Sequence, residues 1–151
     1  MILDLYPNDY AETAAVYSAA WRESHRQICS AETLAKHNAQ RKESDLVQFM
    51  SEGWRFVIAK NEKIAGLVGY HTQKREIGYL YVLSAEQGKG VGGALLKEAI
   101  RRIRPESPRL WTLNTNTRAE SIYAHYGFVP TGTIHVLNKE KNLFEREWIL
   151  V

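Results

Sequence analysis

Apolar positions in the first third of the chain predict one short strand followed by helices. "MILDLY" alternates enough for a strand, and Pro7-Asn8-Asp9 ends it. Tyr10, Ala14, Tyr17 and Trp21 then recur at helical spacing. Asp9 with Glu12 resembles a capping pair at the start of that helix. A first strand followed by a helix is therefore expected.

A second helical region is predicted over residues 30–53, "SAETLAKHNAQRKESDLVQFMSEG". We expect two short helices broken near Lys42–Ser44, with Gly53 as the stop. From Trp54 the pattern changes to strands. "WRFVIAK" and "KIAGLVGYHT" flank Asn61-Glu62 and predict a hairpin, and "EIGYLYVL" predicts a third strand.

The rest of the chain predicts alternating helices and strands. The apolar face Ala94–Ile103 predicts a helix closed off by two prolines, and "RLWTLN" predicts the next strand. Ala119, Ile122, Tyr123 and Tyr126 mark a short amphipathic helix. "FVPTGTIHVLN" and "NLFEREWILV" predict two last strands. The resulting order, β-α-α-β-β-β-α-β-α-β-β, is that of a mixed α/β domain.

Composition narrows the class of protein. At 151 residues, with no repeat or linker, the chain is predicted to be a single domain over residues 1–151. The net charge of +3 is too mild and too scattered for a nucleic-acid partner. The only cysteine, Cys29, has no metal-binding spacing around it, and no metal is expected. No segment resembles a signal peptide or membrane span, so we expect a soluble, cytoplasmic protein.

"EQGKGVGGALL", residues 86–96, places four glycines immediately before a helical pattern. Gly88, Gly90 and Gly93 spell the dinucleotide fingerprint G-x-G-x-x-G, but the next strand ends in Asn114 rather than in the acid that holds the ribose. A P-loop requires lysine and a hydroxyl after the last glycine, and Ala94 follows instead. A cradle of backbone N–H groups for another pyrophosphate fits best.

Two linked motifs support that interpretation. "QGKGVG", residues 87–92, matches Q/R-x-x-G-x-G/A and resembles the acyl-CoA loop of the GNAT superfamily of N-acetyltransferases. "NTRAESIYAHYGF", residues 116–128, matches N-x-x-A-x-x-x-Y-x-x-x-G-F and resembles the second signature of that family. The resemblance covers the whole chain and implies an α/β (α+β) fold: a mixed, mostly antiparallel sheet of about seven strands with flanking helices.

The resemblance also implies acetyl-CoA as co-substrate and assigns residues to its binding. Residues of the loop and the following helix N-terminus would hold the pyrophosphate: Gln87, Gly88, Lys89, Gly90, Val91, Gly92 and Gly93. The main chain of Leu80, Tyr81 and Val82 would bind the pantetheine arm, where "EIGYLYVL" parts from "RLWTLN". Asn116 and Ala119 of the second motif complete the set, and Asn116 could equally cap a helix.

For catalysis, the resemblance implies a base and an acid. Glu76 occupies the position of a catalytic glutamate, although an exposed strand-end charge is an equal alternative, and Tyr79, Tyr81 or His71 could contribute instead. Tyr123 occupies the position of a tyrosine that protonates the departing thiolate. The alternative for Tyr123 is core packing. Trp21, His25, Trp111 and His135 lie where the family usually builds the acceptor side, with core packing as the alternative for the tryptophans.

The resemblance therefore implies transfer of an acetyl group to a primary amine by direct attack. A small-molecule amine or a protein N-terminus would be the acceptor, and the sequence does not distinguish them. Two other classes stay open: a non-catalytic acyl-CoA sensor with the same fold, and a nucleotide-binding oxidoreductase. No membrane partner is expected, and the apolar C-terminal strands allow a homodimer.

Overall fold

A computed structural model describes residues 1–151 as a seven-stranded sheet with five helices. The first half holds β1 (Ile2–Asp4), α1 (Tyr10–His25), α2 (Ala31–Lys36), α3 (Ala39–Ser51), β2 (Arg55–Lys60) and β3 (Ile64–His71). The second half holds β4 (Glu76–Val82), α4 (Val91–Ile103), β5 (Arg109–Leu113), α5 (Thr117–His125), β6 (Phe128–Asn138) and β7 (Leu143–Leu150). The predicted mixed α/β class and strand sequence are confirmed.

The strands lie in the order β1-β2-β3-β4-β5-β7-β6. All neighbours run antiparallel except β4 and β5, which are parallel. The hairpin of β2 and β3 is confirmed, with a register shift at Lys60 beside the turn. The sheet is therefore mixed and mostly antiparallel, as the resemblance implies.

Two apolar layers cover the N-terminal half of the sheet, one on each face. Val57, Val68 and Leu95 belong to a cluster beneath α4, whereas Ile58 and Leu67 belong to a cluster beneath α1 and α3. Successive residues of a strand point to opposite faces. Burial on both faces explains why β2 and β3 are continuous apolar runs rather than alternating ones.

Two local predictions were wrong, the position of the break between α2 and α3 and the cap of α1. The break between α2 and α3 lies at His37 and Asn38, not near Lys42–Ser44, because the Asn38 side chain caps α3 by accepting the Arg41 N–H at 2.9 Å. The region does contain two helices, as expected, and only the position of the break was wrong. The stop at Gly53 is confirmed, with φ of +102° just after α3.

The capping pair predicted for α1 does not form. Tyr10 does begin the helix, but Asp9 makes no capping hydrogen bond. Its carboxylate instead lies 2.8 Å from the Lys60 ammonium, and the Glu12 carboxylate accepts the Ile64 N–H at 2.8 Å. Both acids tie α1 to the β2–β3 hairpin, a tertiary contact that outcompetes the local cap.

Candidate functional site

β4 and β5 part almost as soon as they meet. Glu76 and Arg109 are their only residues in register, and the Arg109 N–H donates to the Arg75 carbonyl at 2.7 Å. Beyond this pair the edge of β4 that faces β5 has no strand partner. Its backbone groups over Leu80–Val82 therefore border a gap in the sheet.

A bulge in β4 lies at the start of this gap. The register with β3 shifts between Leu67, paired with Tyr81, and Gly69, paired with Gly78. Two residues of β4 thus oppose one of β3, and Tyr79 takes φ of +58°. A bulge bends its strand and increases its twist, which accounts for the divergence of β4 from β5.

Six consecutive backbone N–H groups, those of residues 88–93, donate to no acceptor in the protein. They run through the glycine-rich loop into the first turn of α4, and no side chain caps this helix. Unpaired N–H groups and the positive end of the helix dipole attract an anion. The loop has the donors that a pyrophosphate requires.

Gly88 and Gly90 have φ of +79° and +84°, a backbone region that side chains rarely adopt. A Cβ at either position would meet no protein atom within 4 Å, so the space above both is open. Gly93 differs, because a Cβ there would overlap the Tyr126 hydroxyl. The first two glycines leave room for a ligand, and Gly93 leaves room for the Tyr126 side chain beside α4.

Gln87 and Lys89 form contacts within the loop. The Gln87 amide donates to the Val82 carbonyl at 3.2 Å, which joins the loop to the end of β4. The Lys89 ammonium lies 3.3 Å from the Glu86 carboxylate, and both side chains are substantially exposed. Lys89 is therefore free to reorient towards an anion at small cost.

One cleft of about 570 Å³ joins the gap, the loop and the second motif. It contains every predicted cofactor-binding residue except Lys89. Its lining comprises Ala20, Glu23, Ser24, Leu80, Tyr81, Val82, Ser84, Gln87, Gly88, Gly90, Val91, Gly92, Gly93, Asn116, Arg118, Ala119, Ile122, Tyr123 and Tyr126.

Asn116 caps α5 and lines the cleft. Its side-chain oxygen accepts the Ala119 N–H at 3.1 Å, so the capping role left open by the sequence is present. The amide nitrogen of Asn116 has no partner in the protein and is available to a ligand. Ala119 lies beside it, where a small side chain leaves the cleft open.

Tyr123 lies at the floor of the cleft, 8% exposed, and its hydroxyl makes no hydrogen bond in the protein. Its ring packs edge-on against Phe128 at 5.9 Å. Burial raises the pKa of Tyr123 well above its ordinary value. The sequence left two alternatives for Tyr123, core packing and proton donation, and both are compatible with the structure. The ring packs in the core, and the protonated hydroxyl has no hydrogen-bond partner in the protein.

Glu76 lies at the apex of the gap, outside the lining of the cleft, in the pair that ends the β4–β5 contact. Burial raises the pKa of this half-buried carboxyl, while Lys74 and His71 lower it. The Glu145 and Glu147 charges of β7 raise it further. The structure thus brings Glu76 near the cleft without placing it inside.

His71 and Tyr79, two of the alternatives to Glu76 as the base, make contacts within the protein. Both ring nitrogens of His71 have hydrogen-bond partners, and Tyr79 is half-buried among aromatic rings. The Nε2 atom of His71 lies 3.0 Å from the Glu52 carbonyl, and its Nδ1 accepts the Lys74 N–H. Burial raises the pKa of Tyr79 to about 12, and its ring stacks on Phe49 at 4.5 Å. His71 and Tyr79 are thus held in structural contacts.

The aromatic candidates for the acceptor side form two separate stacks. Trp21 stacks on His25 at 3.9 Å, beside the α1 end of the cleft, and Trp111 stacks on His135 at 4.1 Å on the sheet. The cleft-lining residues Glu23 and Ser24 of α1 and Arg118 of α5 were missed by the sequence reasoning. Glu23 and Ser24 reach the cleft through tertiary packing, and no local pattern marks them.

Two other observations bear on the site. No three histidine, cysteine, aspartate or glutamate side chains lie close enough together to form a metal site. None of the helices has the length and apolar character needed to cross a bilayer.

The architecture matches the one that the resemblance to the GNAT superfamily implies: a mostly antiparallel sheet split at one parallel pair beside a glycine-rich turn into a helix. A family model described as an acetyltransferase (GNAT) domain matches residues 14–139. The chain therefore belongs to the GNAT acetyltransferase family and is an N-acetyltransferase by class. A search of curated proteins finds no significant match.

Solved structures agree on the fold. The ribosomal-protein-alanine N-acetyltransferase of Brucella melitensis superposes with a TM-score of 0.77 at 19% identity, over 100% of this chain and 99% of that one. A GCN5-related N-acetyltransferase of Rhodopseudomonas palustris superposes with a TM-score of 0.78 at 20% identity, over 99% of this chain and 94% of that one. The PaiA N-acetyltransferase of Thermoplasma acidophilum, in complex with coenzyme A, superposes with a TM-score of 0.72 at 19% identity, over 97% of this chain and 96% of that one.

Proposed function

We propose that this protein transfers an acetyl group from acetyl-CoA to a primary amine by direct attack, without a covalent enzyme intermediate. The observation that carries the proposal is the run of six unpaired N–H groups, residues 88–93, opening into the cleft between β4 and β5. Acetyl-CoA, when bound, supplies the activated acetyl thioester. Gly88 and Gly90 leave open space beside those donors, which fits a pyrophosphate.

The free edge of β4 would hold the pantetheine arm. Main-chain groups over Leu80–Val82 have no partner on β5, so they can pair with an extended ligand as they would with a strand. The N–H near Val82 would polarise the thioester carbonyl by a hydrogen bond. Asn116, whose amide nitrogen is unpaired, would donate to the same arm.

Two side chains would move the protons. Glu76, at the apex of the gap, would accept a proton from the attacking amine through water while the C–N bond forms. The C–S bond breaks, and the Tyr123 hydroxyl would donate its proton to the departing thiolate. Burial keeps that hydroxyl protonated at neutral pH, which supports its role as a donor.

The acceptor is proposed only as a class. A primary amine is common to the two kinds of acceptor considered, a small-molecule amine and a protein N-terminus. One structural neighbour is a ribosomal-protein-alanine N-acetyltransferase, but an identity of 19% carries no substrate over to this chain. A panel of amines of both kinds is needed.

The first test compares thermal unfolding with CoA, acetyl-CoA, NAD and ATP, followed by mass-spectrometric detection of acetylated amines. A ligand at 100 times its dissociation constant stabilises the fold by about 2.7 kcal/mol, so CoA species alone are expected to raise the Tm clearly. A shift with NAD alone would favour the oxidoreductase. Binding of CoA without transfer to any amine would favour the acyl-CoA sensor.

Glu76→Gln is expected to lower kcat/KM about 100-fold, the usual scale of general-base catalysis. Burial raises the pKa of Glu76, so this base becomes protonated at a higher pH than an exposed glutamate would. The activity of the wild type should therefore begin to fall at that higher pH as the solution is acidified. That acidic limb should disappear in the variant. Glu106→Gln, which removes an exposed partner of Arg75, serves as control. An unchanged pH profile in Glu76→Gln would favour a water relay.

We also propose that β6 pairs with a second copy of the chain. β6 is one of the two edge strands of the sheet, has no Asp, Glu, Lys or Arg over 128–138, and exposes Ile134, Val136 and Leu137. An edge strand without charged residues presents unpaired backbone N–H and C=O groups with which another strand can pair. Antiparallel pairing of β6 with the β6 of a second copy gives a closed two-fold dimer. Light scattering of the wild type should give twice the 17.3 kDa mass of one chain. Val136→Lys in β6 should reduce this to the mass of a single chain, whereas Val47→Lys, at an exposed position outside β6, should leave the dimer intact. A single-chain mass for wild type would contradict it.

A further inference from the structure

The segment between α1 and α3, residues 26–38, lies at the protein surface. None of its residues is buried, and α2 within it has only six residues. The Ser30 side chain caps α2 by accepting the Thr33 N–H, which is a contact internal to the segment. We call residues 26–38 the strap.

Apart from the Asn38 cap of α3, the side-chain hydrogen bonds and the ring stack that join the strap to α1 and α3 all involve His37. Its carbonyl accepts the hydroxyl of the buried Ser18 at 2.7 Å. Its ring stacks on Trp21 at 3.7 Å and 11°, and its Nδ1 lies 3.0 Å from the Lys42 ammonium. One residue thus contacts α1 twice and α3 once.

Lys42 fixes the protonation state in which this arrangement holds. Its ammonium is buried, lies 4.5 Å from the centroids of both the Tyr17 and Trp21 rings, and lies 3.7 Å from the Asp45 carboxylate. Burial lowers the pKa of Lys42 to about 8, so near neutral pH and below it the side chain is mainly the ammonium. An ammonium only donates, so Nδ1 of His37 must offer its lone pair and the ring must be neutral. Lys42 holds His37 only in its neutral form.

We propose that His37 is a proton-sensitive latch: the neutral ring keeps the strap closed, and protonation of His37 releases it. This inference goes beyond acetyl transfer and does not depend on it. A protonated His37 would lose the lone pair that accepts from Lys42 and would place two cations 3.0 Å apart.

The surrounding charges act in the same direction. His37 faces Lys42 and Arg41 of α3 and His25 of α1, and its one acidic neighbour is Asp45. Burial, followed by the Lys42 and Arg41 charges, lowers the pKa of His37, while Asp45 raises it. The closed strap is thus fully stable above the ordinary histidine pKa of about 6.5 and weakens as the pH falls below it.

The strap follows directly on the α1 wall of the cleft. Ser24 lines the cleft, and its hydroxyl lies 2.8 Å from Nδ1 of His25, which stacks on the face of Trp21 opposite His37. Tyr17, which contacts Lys42, stacks on Tyr81 of β4 at 5.1 Å. Release of His37 therefore frees one side of an aromatic stack that borders the cleft.

Cys29, the only cysteine, lies half-buried within the strap and reports on it directly. The experiment measures its rate of alkylation, divided by that of a free model thiol, at about pH 7.5 and about pH 5.5. We expect the ratio to rise at the lower pH, by up to the roughly tenfold that protonation of a histidine with the ordinary pKa of about 6.5 can supply between these two pH values. His37→Phe keeps a ring for stacking and should give a high ratio at both pH values.

The controls separate local release from other causes. His125→Gln removes an exposed histidine on α5 and should behave as wild type. Hydrogen exchange of the β3 amides should stay slow at both pH values. An equal ratio at both pH values in wild type would overturn the latch. So would a pH dependence kept in His37→Phe but lost in His25→Phe, or faster exchange throughout β3.

Discussion

Gly90→Asp is expected to weaken CoA binding at least about 100-fold while the protein stays folded. The substitution places a carboxylate in the open space beside the six unpaired N–H groups of residues 88–93. The carboxylate would repel a pyrophosphate and compete for its donors. Losing hydrogen bonds to a charged group, at about 1.5–3 kcal/mol each, accounts for this loss. Isothermal titration with CoA measures it.

Gly132 provides a matched control for Gly90. It has φ of +95°, and a Cβ there would meet nothing within 4 Å, but it lies in β6, outside the cleft. Gly132→Asp thus makes the same charge change at a similar backbone angle and should bind CoA as wild type does. Gly90→Asn separates charge from bulk and should bind better than Gly90→Asp. Wild-type affinity in Gly90→Asp would mean that the loop does not hold the phosphates.

Tyr123→Phe is expected to lower kcat about 100-fold, with little change in the affinity for CoA. The hydroxyl has no protein partner, so its removal leaves no buried group unsatisfied and the ring still packs on Phe128. Loss of a general acid typically costs about 100-fold or more. Steady-state kinetics with the best amine from the panel, together with CoA titration, tests both parts.

Tyr70→Phe is the control for this substitution. Tyr70 is a buried tyrosine of the same apolar cluster, but its hydroxyl accepts from Arg102 and lies outside the cleft. Its removal should reduce stability slightly and leave kcat near the wild-type value. Equal losses of kcat in both variants would show that Tyr123 acts through packing rather than through its proton.

Local patterns in the sequence predicted most of the secondary-structure elements of the fold. The strands β2 to β7 and the helices α4 and α5 lie within a few residues of their predicted positions, because their apolar periodicities are strong and their ends are marked by glycine or proline. The glycine-rich loop was also recognisable, since its four glycines fall within six residues, 88–93. The roles of its residues, and of Glu76 and Tyr123, stay predictions.

Contacts between distant segments decided the rest. A helix break was expected near Lys42–Ser44, yet Lys42 lies within α3 and its ammonium packs against the Tyr17 and Trp21 rings of α1. Glu23 and Ser24 reach the cleft only because α1 packs across β4. Sequence alone determined the order of the elements and the pyrophosphate-type loop, since both depend on neighbouring residues. The gap beside β4, the cleft wall and the position of His37 required the tertiary structure, because burial and charge pairing there join residues far apart in the chain.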